Sequence, residues 1–94
     1  MEYMDKLKEL AEKYKDKPSI YRDLADIWLN VEELSKYVKS DDYNLFGESL
    51  FDTGRLCGEL RARMPLSDWE PVCDYFSIAD LISDIFEAQH KAYL

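Results

Sequence analysis

Three groupings in the sequence have residue types and spacings that could do chemistry. Glu87-Ala88-Gln89-His90 has the Glu-x-x-His form that holds paired iron or manganese ions between helices. Such a centre needs a second copy of the motif and further glutamates from other helices, all pointing inward. His90 is the only histidine in the chain. Glu87 falls opposite Ile78, Ile82 and Ile85 on a helical wheel, so it is expected to face solvent. Glu9-x-x-Glu12 and Asp23-x-x-Asp26 could supply Mg²⁺ carboxylates if they converged. Both pairs lie on the polar sides of their helices, away from Leu7/Leu10 and Leu24/Ile27, and convergence is not expected.

The third grouping is Cys57 and Cys73, each eight residues from Pro65. A helical hairpin turning at Pro65 sets them at one level, where a disulfide needs Cα atoms within ~7 Å. The expectation is two buried thiols, close together and reduced. A nucleophilic cysteine would need a base, and His90 is remote in sequence. A zinc site would need about two more ligands. No Gly-rich phosphate loop is present. No catalytic residue, metal or cofactor is therefore expected, and the chain does not read as an enzyme.

Charge is the remaining chemical feature. The formal net charge is -8. Residues 1–39 carry nine acids and eight bases, whereas residues 40–94 carry eleven acids and four bases. No Lys or Arg lies between Met64 and His90, against Asp68, Glu70, Asp74, Asp80, Asp84 and Glu87. Phosphate binding needs a basic face, so direct contact with nucleic acid is not expected. Binding to an anionic membrane surface is not expected for the same reason. No apolar run reaches the ~18–20 residues of a membrane span, and the N-terminus has no secretory pattern. A cytoplasmic protein is expected, of the host cell if the gene is a phage's.

The elements that must position these residues are helical. Ile20, Leu24, Ile27, Val31, Leu34 and Val38 alternate steps of four and three, which keeps them on one helix face. Tyr21, Ala25, Trp28 and Leu29 widen that face enough to touch more than one neighbour. Ser19–Lys39 is therefore the expected central helix, with Ser19 as its cap. Glu2 to about Asp16 forms a helix before it, with Tyr3, Leu7, Leu10, Ala11 and Tyr14 inward. A third runs from about Tyr43 to Met64 on Phe46, Leu50, Thr53, Cys57, Leu60 and Met64. Gly47, Gly54 and Gly58 share one flank of it. Close approach of Trp28 and Tyr21 is expected there, or of a second copy of the chain. Ser67-x-x-Glu70 has the form of a capping box and opens a fourth helix. Its apolar phase shifts from Val72/Tyr75/Phe76 to Ile78/Leu81/Ile82/Ile85, which predicts a break near Ser77. Tyr3, Tyr14, Trp28, Tyr75 and Tyr93 are assigned to the core, and Tyr37 and Tyr43 to the surface.

The expected fold is all-α: residues 1–94 as one compact bundle of four helices, five if the last breaks, mostly antiparallel. The expected function is a small acidic, non-enzymatic protein-binding module. Asp80, Asp84 and Glu87 form one stripe, extended by Glu70 and Asp74, that would meet a basic protein surface. Rows of carboxylates can occupy a nucleic-acid-binding groove in place of phosphates. Anti-restriction and anti-CRISPR inhibitors, antitoxins and nuclease-immunity proteins work in that style. The alternative is a self-associating structural or accessory subunit, with its interface at Tyr21, Trp28 and Leu29 or at Gly54 and Gly58.

Overall fold

A computed structural model describes residues 1–92, with side chains through His90. Five helices follow one another: α1 (Glu2–Lys13), α2 (Pro18–Lys39), α3 (Tyr43–Leu60), α4 (Leu66–Cys73) and α5 (Tyr75–Ala92). The described residues contain no strand, and the bundle is all-α as the periodicity predicts. Tyr93 lies outside the described residues.

The connections explain the topology. Lys17 N–H bonds the Tyr14 carbonyl at 3.0 Å, closing a tight turn between α1 and α2. Pro18 opens α2 and Ser19 does not cap it. A proline in the first helical turn forfeits only an N–H that would be unpaired anyway, so it starts this helix cheaply. At the far end of α2 the Asp42 N–H reaches the Tyr37 carbonyl and the Asp41 N–H reaches that of Val38. These two bonds form a Schellman motif, which needs a left-handed residue. Asp41 supplies it at φ 55°. Asp42 then caps α3, its carboxylate accepting from Leu45 N–H at 3.2 Å.

α2 and α3 make the longest pairing and run antiparallel. Asp23 meets Arg63, Asn30 meets Asp52 and Glu33 meets Ser49, so partners climb one helix as they descend the other. α4 lies antiparallel to α1: Tyr3 hydroxyl donates to the Val72 carbonyl at 2.7 Å, and Tyr14 hydroxyl to Asp68 at 2.6 Å. Leu7, Leu24, Ile27, Leu34, Leu60 and Leu81 are fully buried where these helices meet. Burying each such side chain contributes about 1.5–3 kcal/mol.

Two sequence expectations fail at the fourth helix. α4 starts at Leu66 behind Pro65 with no side-chain cap, so Ser67–Glu70 is not a capping box. The break falls at Asp74, which is extended (φ -67°, ψ 154°), three residues before Ser77. Asp74 caps α5 by accepting from Phe76 N–H, and Ser77 hydroxyl instead donates back to the Glu70 carbonyl at 2.7 Å. The earlier break resets the phase of the helix. Val72 stays inside, whereas Tyr75 and Phe76 turn outward, at 78% and 73% exposure. Tyr75 is therefore not a core residue.

Candidate functional site

α5 carries the acidic stripe. Asp80, Asp84 and Glu87 are all exposed. Asp80 and Asp84 edge a shallow recess of about 60 Å³ shared with Glu2 and Lys6 of α1. Met1, Asp84 and Glu87 border the next depression along the helix. Folding thus adds a base that sequence order hides, because Lys6 comes from the opposite end of the chain. Its ammonium lies 3.4 Å from Glu2. Glu70 is exposed on α4, near the break. Asp74 is half-buried and engaged as the α5 cap, which withdraws it from the stripe.

Three of the bundle's other carboxylates are tied to partners on neighbouring segments or helices. Asp23 is buried and paired with Arg63. Asp68 takes Lys13 at 2.8 Å and the Tyr14 hydroxyl at 2.6 Å. Those two partners hold its carboxyl below the usual range. The same bond, aided by burial, pushes Tyr14 up to about 12. Asp52 is lowered by Asn30 and then by Arg55. Asp23 was expected on a polar helix side. Its partner lies forty residues on, beyond the reach of helical periodicity.

A second surface lies between α1 and α2. Tyr21, Trp28 and Leu29 line an apolar groove of about 500 Å³ with Leu7, Ala11 and Leu24. Trp28 is half-buried there and donates its indole N–H to Glu32. It does not pack on the glycines. Gly47, Gly54 and Gly58 lie on the outer side of α3, and a Cβ added at any of them would meet no atom within 4 Å. The expected close approach within the chain is absent because α2 meets α3 along Ser49, Thr53, Leu56 and Leu60. That seam points away from the glycines. Phe51 sits among the glycines at 78% exposure. Its place on the wheel, roughly 20–60° from each of the three glycines, was the available signal.

The motif residues stay apart. Glu87 and His90 are exposed, and among the described residues no group of three or more His, Cys, Asp or Glu could hold a metal ion. Cys57 and Cys73 are both buried and unbridged. The neighbouring Cys57 thiol and burial push the Cys73 thiol up. Tyr3 hydroxyl, also raised by burial, stands near both sulfurs. Trp69 indole N–H donates to the Cys57 carbonyl at 2.7 Å and fixes α4 against α3. Lys91, one turn beyond Glu87 and by sequence able to pair with it, lies outside the described side chains. No helix is long and apolar enough to cross a membrane among the described residues. No protein-family model, curated protein or solved structure matches the chain.

Proposed function

We propose that the protein is a small non-enzymatic binding module that engages a basic protein surface through the outer side of α5. The observation that carries this reading is a pair of exposed carboxylates on a stretch, Met64 to His90, that holds no Lys or Arg. Asp23, Asp52 and Asp68 are tied to bases or amides of the bundle. Asp80 and Asp84 are exposed and have no ion-pair partner among the described residues. Two charges left one helical turn apart on a rigid face present a fixed spacing to Lys or Arg on a partner. Such complementarity speeds encounter and sets register more than it adds affinity. A partner that normally holds nucleic-acid phosphates would be blocked by this face.

The test is charge reversal. Asp80→Lys with Asp84→Lys is expected to leave melting within a few degrees of wild type, because both sites are exposed. Used as bait in host extract at low salt, the wild type is expected to retain a basic protein that the double variant loses. Added salt should release it. Retention of the same proteins by both baits would refute the reading.

A further inference from the structure

We infer, resting on the reading just given, that the partner's basic surface is an amphipathic helix and that it lies in the groove between α3 and α5. These two helices run side by side in opposite directions. Phe46 near the start of α3 meets Phe86 near the end of α5, ring centroids 5.7 Å apart. Towards the other end, the Cys57 thiol neighbours that of Cys73, just before α5.

The walls of the groove are apolar. On α3 the wheel turns outward from Phe46 and Leu50 through the three glycines to Phe51. A Cβ at any of those glycines would meet no atom within 4 Å, so this wall is open to an incoming side chain. On α5 the wheel turns outward from buried Leu81 through Ile82 and Tyr75 to Phe86. Phe51 and Tyr75 are each 78% exposed and Phe86 is 40% exposed. Exposed rings on both walls supply anchors of the kind that dominate binding energy once dehydrated.

The rims are acidic, and this decides the occupant. Beyond Phe51, the far side of α3 carries Glu48, Asp52 and Glu59 against Arg55. Beyond Phe86, α5 carries exposed Asp80 and Glu87 and no Lys or Arg among its described side chains. Arg61 stands at one end, stacked 4.6 Å from the Trp69 ring. Acids therefore outnumber bases five to two around an uncharged groove. A second copy of this chain would set acidic rim against acidic rim. A helix with an apolar stripe flanked by Lys and Arg fits the floor and both rims together. α3 and α5 have 18 residues each, so the groove is ~27 Å long at ~1.5 Å per residue and takes a helix of about five turns.

The probe is a synthetic helix of ~18 residues with Leu on one face and Lys on the other. Its fluorescent form is followed by anisotropy and stopped flow. A Leu/Glu counterpart and a Lys/Gln peptide without an apolar face are the controls. The Leu/Lys helix is expected to bind, and both controls at least about tenfold more weakly. Phe51→Ser with Tyr75→Ser alters two exposed sites and no charge, so helical circular dichroism is expected to persist. That variant should bind the Leu/Lys helix at least about tenfold more weakly, through faster dissociation. Asp80→Lys with Asp84→Lys should instead slow association. Binding that survives loss of the rings but fails on charge reversal would overturn the groove and leave the acidic-stripe reading standing. Equal binding of the Leu/Glu peptide would overturn the basic helix as occupant. No binding of the Leu/Lys helix would overturn the inference, while retention of a basic host protein remains the separate test of Asp80 and Asp84.

Discussion

Asp68 shows how single side chains hold this bundle together. It accepts from Lys13 and from Tyr14, so one carboxylate anchors the end of α1 to the start of α4. Its folded pKa is depressed, so its contribution is present above the unfolded value near ~4 and is lost as pH falls through the folded value. Tyr14 acts in the opposite window. Its pKa is raised to about 12, so its contribution is present below ~10 and is lost as pH rises toward 12. Asp68→Asn is expected to cost about 1–3 kcal/mol at neutral pH and to flatten the acid limb of a stability–pH curve from urea titrations. Arg63→Met tests the other internal pair. It leaves the buried Asp23 carboxylate without its base, and a loss of about 1–3 kcal/mol is expected in the same measurement.

At the scale of helices, glycine gives the clearest expectation. An exposed mid-helix glycine costs about 0.5–1 kcal/mol relative to alanine. Since nothing crowds a Cβ at Gly54, Gly54→Ala is expected to stabilise the dilute protein by about that amount in thermal melts. A drop in melting temperature would show that a neighbour does lie against this site. The helices themselves were legible in sequence. The four-three rhythm of Ile20 to Val38 placed α2 within a residue, whereas that of Phe46 to Met64 carried α3 past its observed end at Leu60. Periodicity reports a direction on one helix, however, and not which neighbour occupies it. The glycine flank of α3 was therefore assigned to Trp28, although the contact seam lies elsewhere. The α4–α5 break was three residues misplaced for a related reason. Ser77 and Asp74 both have capping chemistry, and only the fold shows that Ser77 turns back to Glu70 while Asp74 starts α5. The acidic stripe was legible because Asp80, Asp84 and Glu87 belong to one helix. Lys6 was not, because tertiary packing alone brings it to that recess.

The whole molecule carries its charge unevenly. Residues 40–94 hold -7 of the total of -8. Like charges at this density oppose the compact state, and salt screens them over a Debye length of ~8 Å at physiological ionic strength. Scanning calorimetry is expected to show melting temperature rising between about 10 mM and about 150 mM sodium chloride. A falling temperature would mean that the paired groups, Asp23–Arg63 and Lys13–Asp68 among them, outweigh the net repulsion.

The bond from Tyr3 hydroxyl to the Val72 carbonyl spans 69 residues of chain. Synthesis proceeds from the N-terminus, so α1 is made first and its α4 partner much later. Until α4 emerges from the ribosome, Tyr3 has no native acceptor and one flank of the Tyr3–Leu7–Leu10–Tyr14 stripe has no cover. The α2–α3 hairpin, joined by a short turn, closes over a far smaller loop and can assemble earlier. α1 then completes its packing only after the α2–α3 hairpin has closed and α4 has followed it. A nascent chain stalled before Pro65 would display that sticky surface to chaperones or to other nascent chains.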